Sequence, residues 1–212
     1  MRIVETPVYD FTELSAAAKD KARTWFRETI DHDWWDSVYD DFEQICPILG
    51  VTLVTTTVGL MGGGTRQEPC IWFSGFWSQG DGACFEGRYA YAPRASRRIR
   101  EYAPQDTELH RIADALQRLQ RGNFYQLTAD IRHRGRGCHA WCMAIDVERD
   151  SPTGHPIVSH GEDDLIEALR DLAHWLYRAL KREYEFLTSD ETVDDGIEAN
   201  GYTFTAEGKR FG

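Results

Sequence analysis

Tyr125-Gln-Leu-Thr-Ala-Asp-Ile-Arg132, followed by the turn Arg134-Gly-Arg-Gly137 and a further extended stretch from Cys138 to Val147, decides the fold class. Tyr125, Leu127, Ala129 and Ile131 fall on one face of a strand, and Gln126, Thr128, Asp130 and Arg132 on the other. The glycine-bearing turn returns the chain at once, so the two stretches form an antiparallel hairpin.

Working toward the N-terminus, Asp106 opens a helix with Leu109, Ile112, Ala113, Leu116 and Leu119 inward and Arg111, Asp114, Arg118 and Arg121 outward. Before it, the β-branched run Val51 to Val58 reads as a strand broken by Met61-Gly-Gly-Gly-Thr65. It pairs as a hairpin with Cys70 to Phe76, and after the turn Trp77 to Gly82 the stretch Ala83 to Tyr91 is extended again. Ser15 caps a first helix whose apolar residues Ala18, Ala22, Trp25, Phe26 and Thr29 recur every three to four positions. In a second helix, Asp33 to Leu49, the stripe Trp34, Val38, Phe42, Ile45 and Leu49 is apolar, and Asp33, Asp36, Asp40 and Glu43 form an acidic edge.

Toward the C-terminus, Asp150 to Gly161 is a loop, and Leu165, Leu169, Leu172, Leu176 and Leu180 mark a long helix ending near Tyr184. Thr188 with Glu191 fits a capping box for a last short helix with Val193 and Ile197 inward, Asn200-Gly201 stops it, and Tyr202 to Thr205 is a strand. Helices and strands in this order predict an α+β fold: an antiparallel sheet of about five strands covered by helices, in a single domain over residues 1–212.

Seven Trp, ten Phe and nine Tyr in a chain of 212 residues with 42% apolar content can fill a core. No stretch approaches the roughly 20 apolar residues of a membrane span, and the N-terminus lacks the order of a signal peptide, so the expectation is a cytoplasmic protein with no membrane partner. Five irregularly spaced cysteines read as reduced core thiols. The net charge of −11 is unevenly spread. Arg88 to Arg136 holds eleven Arg against five acids, a local +6 that leaves −17 for the remainder. Asp31 to Glu43 carries six acids and Glu183 to Glu207 eight, with no Lys or Arg in either block. Such segregation steers partners or lets a domain close on itself.

Cys138-His-Ala-Trp-Cys142 contains the residue types that bind zinc. In a strand, Cys138 and Cys142 lie about 13 Å apart with His139 on the opposite face. Zinc–ligand bonds of about 2.0–2.3 Å cannot span that separation, so no metal is expected here as long as the segment is a strand. The Gly62 to Gly64 run has no following Gly-Lys-Ser/Thr, which removes a phosphate cradle. The histidines His32, His110, His133, His139, His155, His160 and His174 share no familiar spacing, and no nucleophile elbow occurs. No catalytic residue and no cofactor are therefore assigned. Trp72, Phe76, Trp77, Phe85, Tyr89 and Tyr91 with the turn Ser78 to Gly82 form the densest aromatic-polar cluster. Phe76 and Trp77 cannot both face inward, which leaves one aromatic at a rim.

Ile71-Trp-Phe-Ser-Gly-Phe-Trp-Ser-Gln-Gly-Asp-Gly-Ala-Cys-Phe-Glu-Gly87 resembles a family of uncharacterised phage and prophage proteins, sometimes labelled antitoxins of toxin–antitoxin stability systems. Glu108 to Gln117, Arg132-His-Arg-Gly135 and Ser189 to Phe204 fit the same pattern. The resemblance implies a mobile-element setting in the cytoplasm of a bacterial host, and it transfers no catalytic or ligand residue.

Three functional readings follow. In the leading one, the chain binds and neutralises a bacterial defence or toxin component, a protein or ribonucleoprotein complex with CRISPR machinery included. It does so through Asp33, Asp36, Asp40 and Glu43 and the turn residues Trp77, Gln79 and Asp81. The second is a nucleic-acid-binding module using Arg94, Arg97, Arg98, Arg100, Arg134 and Arg136. The third is a small-ligand-binding protein or enzyme centred on Ser78 to Gly82 with Asp81, Cys84 and Glu86.

Overall fold

A computed structural model describes residues 5–30, 33–158 and 160–211; Asp31 of the first acidic block and His32 lie outside the described residues. The elements run β1 (Tyr9–Asp10), a 3-10 turn (Phe11–Glu13), α1 (Ala16–Arg27), α2 (Asp36–Leu49), β2 (Val51–Leu53), β3 (Thr55–Gly59), β4 (Thr65–Pro69), β5 (Ile71–Phe73), β6 (Ala83–Phe85) and β7 (Gly87–Ala90). They continue with α3 (Ala95–Tyr102), α4 (Thr107–Gly122), β8 (Leu127–His133), a 3-10 turn (Ala140–Cys142), β9 (Met143–Arg149), α5 (Gly161–Leu187), α6 (Asp190–Ala199), β10 (Thr203–Phe204) and β11 (Arg210–Phe211). All pairings are antiparallel and the fold is α+β. The chain contacts itself as two compact units, residues 1–36 with 181–212 and residues 37–180.

In the first unit, Ser15 caps α1 as its spacing predicts, accepting from the Ala18 N–H. Phe11, Leu14, Ala18, Ala22, Val193, Ile197 and Phe204 are buried together, with Trp25, Phe26 and Tyr202 packed against them. Trp25 meets Tyr202 and Phe204 edge-on at 5.1 and 5.9 Å, the geometry aromatic quadrupoles favour. Arg23 forks onto both Asp194 oxygens at 2.7 Å, and Arg27 donates to Asp190. Part of the second acidic block is thus neutralised by α1. Ser189, not Thr188, caps α6, accepting from the Thr192 N–H.

The second unit is built on the sheet β2-β7-β8-β9. Alternation along β8 buries Leu127, Ala129 and Ile131, matched by Tyr89 on β7 and Met143 and Ile145 on β9. Phe42 from α2 meets Phe85 at 5.3 Å and stacks on Trp175 of α5 at 6.3 Å. Leu165, Leu169, Leu172, Leu176 and Leu180 are all buried, each contributing about 1.5–3 kcal/mol on transfer from water. Asp106 caps α4, accepting from the N–H groups of Glu108 and Leu109, and its second oxygen accepts from the Trp175 indole at 2.7 Å.

Several expectations are corrected. The run 51–58 is two strands: β2 pairs with β7, while β3 pairs with β4 about the Gly62–Gly64 loop. Cys70 to Phe76 does not join that hairpin; β5 pairs with β6 instead. The anticipated antiparallel sheet of about five strands is a four-stranded sheet in the second unit, which also holds two hairpins, and the first unit has a three-stranded sheet of its own. Gly50 lets the chain leave α2 directly onto β7: at φ +93, a Cβ there would stand 2.1 Å from the Ala90 carbonyl oxygen, and the Ala90 N–H donates to the Gly50 carbonyl. The change of partner comes at Val54, which donates to Glu86 and accepts from Cys70. Trp34 precedes α2, which begins at Asp36. The arginine-rich stretch forms a helix, α3, that the sequence reading leaves unassigned. Tyr125 is not in β8 but in the turn before it, and Cys138 to Cys142 is not strand, since residues 140–142 form a 3-10 turn. Among the described residues, no helix is long and apolar enough to cross a membrane.

Candidate functional site

α3 and α4 pack side by side and leave an open groove of about 700 Å³ lined by Ser96, Arg100, His110, Arg111, Arg118 and Arg121, with Asp114 and Gln117. Two of its guanidiniums are engaged. Arg100 forks onto Asp114 at 2.7 and 3.0 Å and holds that carboxyl below its usual pKa, and Arg111 bridges to Asp171 at 2.9 Å. Arg118 and Arg121 point into the groove and, among the described residues, make no ion pair.

The end of α4 is held by the two buried polar side chains of the unit, Gln120 and Asn123. Gln120 donates to the Leu127 carbonyl at 2.7 Å and accepts from the Leu127 N–H at 3.1 Å; Asn123 donates to the Leu119 carbonyl and accepts from Val158 N–H. Between these clamps Phe124 and Tyr125 take left-handed backbone angles, φ 56 and 62. Each costs a non-glycine residue about 1–2 kcal/mol. Both side chains are thereby turned outward: Phe124 is 72% exposed, and Tyr125 meets Tyr91 with ring centroids 4.5 Å apart. Tyr91 adjoins Gln117, which also lines the groove, so a strained aromatic rim continues a basic floor.

The six arginines singled out in sequence are not one patch. Arg94 caps α3, Arg97, Arg98 and Arg100 lie on it, and Arg97 is paired with Glu101 at 2.7 Å. Arg134 and Arg136 follow β8 at its opposite end, about 20 Å from the α4 terminus at strand rise. The sequence reading missed Arg118, Arg121, Phe124 and Tyr125 as site residues. Two outward arginines three apart, then consecutive aromatics after Gly122-Asn123, were the available signal.

The turn 77–82 is a built structure. Asp81 accepts from the Trp77 and Ser78 N–H groups at 2.8 and 2.7 Å, so its carboxylate shapes the turn. Trp77 is the outward member of the Phe76–Trp77 pair, 79% exposed, while Phe76 packs on Phe73 and Tyr177 at 5.9 and 5.5 Å; Gln79 is exposed. Glu86 accepts from the His133 N–H through one oxygen, and Cys84 is fully buried in β6, opposite Trp72. Asp33, Asp36, Asp40 and Glu43 are all exposed, and none forms an ion pair among the described residues. Partial burial, then the neighbouring Asp40, pushes the Glu43 carboxyl up. No group of three or more His, Cys, Asp or Glu among the described residues is arranged to hold a metal ion.

The chain is an α+β protein whose second unit carries an arginine-lined groove with an aromatic rim. Residues 34–190 match the model of the family described as Domain of unknown function (DUF8835), and the chain belongs to that family. No curated protein and no solved structure matches it.

Proposed function

We propose that the protein binds nucleic acid through the α3–α4 groove. The observation carrying this reading is that Arg118 and Arg121 line an open groove and, among the described residues, make no ion pair, while the groove's Asp114 is taken by Arg100, and outward aromatic rings stand beside them. Free guanidiniums displace condensed counterions from phosphates, and aromatic faces accept stacked bases. Replacing Arg118 and Arg121 with Glu is expected to abolish binding of labelled oligonucleotides in a titration. For the unaltered protein, raising salt from 50 to 200 mM weakens binding roughly 20- to 50-fold if three or four phosphates are contacted. Binding that ignores both the charge reversal and the salt sinks the reading.

A second reading rests on the exposed acidic edge of α2. Among the described residues, Asp36, Asp40 and Glu43 of α2, and Asp33 ahead of it, make no ion pair, which leaves their field available to a basic bacterial protein or ribonucleoprotein. Such a partner accords with the phage and antitoxin resemblance. Changing Asp36, Asp40 and Glu43 to Lys is expected to abolish capture of a basic partner from bacterial lysate and any inhibition of it. Undiminished inhibition after the change would refute this second reading.

A further inference from the structure

The segment Cys138-His-Ala-Trp-Cys142, extended in the sequence reading, is folded back on itself. The 3-10 turn Ala140–Cys142 is closed by the Cys142 N–H donating to the His139 carbonyl at 2.8 Å. This brings His139 Nε2 to 3.4 Å from Cys142 Sγ, a thiol–imidazole hydrogen bond. The loop is pinned on both sides. Arg134 N–H donates to the Cys142 carbonyl, and His133 Nε2 is bonded to the Gly137 carbonyl at 2.7 Å. On the other side a Cβ on Gly82 would lie 2.5 Å from that of His139, so the end of the turn 77–82 packs directly against the His139 backbone and Cβ. Among the described residues His139 Nδ1 is buried without a hydrogen-bond partner, leaving Nε2 as the nitrogen with an engaged neighbour.

Two further thiols adjoin. Gly137, next to Cys138 in the chain, lies against Cys142, where an added Cβ would come within 3.1 Å of its Sγ. Cys138 also adjoins Cys84, and a charge on Cys142 disfavours one on Cys138. Burial holds Cys84 and Cys138 protonated, the first pushed up to about 12. Cys142 is partly exposed and has the His139 imidazole in hydrogen-bond contact.

We propose that Cys142 is a hydroperoxide-reactive thiol with His139 as its base, and that Cys138 captures the oxidised product as a disulfide. His139 Nε2 takes the thiol proton as Cys142 Sγ attacks one peroxide oxygen. The O–O bond breaks, sulfur is oxidised by two electrons to the sulfenic acid, and the leaving hydroxide departs as water with the proton from His139. Cys138 Sγ then attacks Cys142 Sγ; the S–S bond forms, the S–O bond breaks, and the hydroxide leaves with the Cys138 proton as a second water. Two thiols and one hydrogen peroxide become one disulfide and two waters.

The test is hydrogen peroxide treatment of the full chain, followed by peptide mapping with and without reductant. The expected product is a reducible Cys138–Cys142 link, and in Cys138→Ser a sulfenic acid at Cys142 trapped by dimedone. His139→Gln keeps a hydrogen-bonding side chain but no base, and is expected to slow Cys142 oxidation at least about tenfold with an unchanged circular dichroism spectrum. Oxidation of Cys142 no faster than that of buried Cys46 and Cys70 overturns the proposal. So does a Cys84–Cys138 link in its place, or an unchanged rate in well-folded His139→Gln.

Discussion

Gln120 and Phe124 stand four residues apart and carry opposite costs. Gln120 occupies an inward place that helical spacing reserves for an apolar residue; the periodicity put Leu119 there, yet Leu119 is only half-buried. Its amide satisfies both backbone groups of Leu127, a role invisible to a pattern that sorts residues by polarity alone. Phe124 strains the backbone and exposes its ring, features that persist where surroundings over-determine them. Glycine adopts that angle without penalty, so Phe124→Gly is expected to raise unfolding free energy by a few tenths to about 1 kcal/mol, the lost stacking with Arg149 offsetting part of the relief. The same variant is expected to weaken oligonucleotide binding several-fold. A denaturant titration showing clear destabilisation would mean the ring supports the fold instead.

At the scale of elements, α4, α5 and β8 were legible because their apolar positions repeat with unambiguous period over many residues. The core leucines of α5 and the inward residues of β8 follow from spacing alone. Short segments were not legible. Residues 51–58 and 70–76 carry strand propensity without saying where a strand breaks or which neighbour it takes; the close approach of Gly50 to Ala90 sets β2 on β7, and Val54, bonded to both Glu86 and Cys70, marks the break. Cys138 to Val147 was assigned one period, but a single 3-10 turn inside it reverses which side chains meet, so the strand alternation that set His139 on the face opposite Cys142 fails. Arginines on α3 were legible as a set because composition reveals them. Their distribution over two distant places, with Arg118 and Arg121 completing one of them, depends on how α3 packs on α4.

For the molecule as a whole, charge and pH act on each unit in its own way. In the second unit, burial raises the Tyr89 phenol from 10 to about 12, and the hydrogen bond from Tyr102 to Asp41, then desolvation, raises Tyr102 likewise to about 12. A folded pKa above the unfolded one means stabilisation fully present below pH 10 and lost as pH climbs to about 12. Thermal unfolding is therefore expected to show falling stability across that window. Tyr89→Phe should flatten the fall while costing about 1 kcal/mol at neutral pH for the lost contact with Gln120; an equally steep fall in the variant would place the loss elsewhere. The division into units has another consequence. Residues 37–180 are contiguous, so a ribosome can deliver everything that unit needs before synthesis is complete. Phe11, Ala18 and Ala22 must wait for Val193, Ile197 and Phe204, so residues that emerge ahead of that unit find shelter from water only after it has left the ribosome.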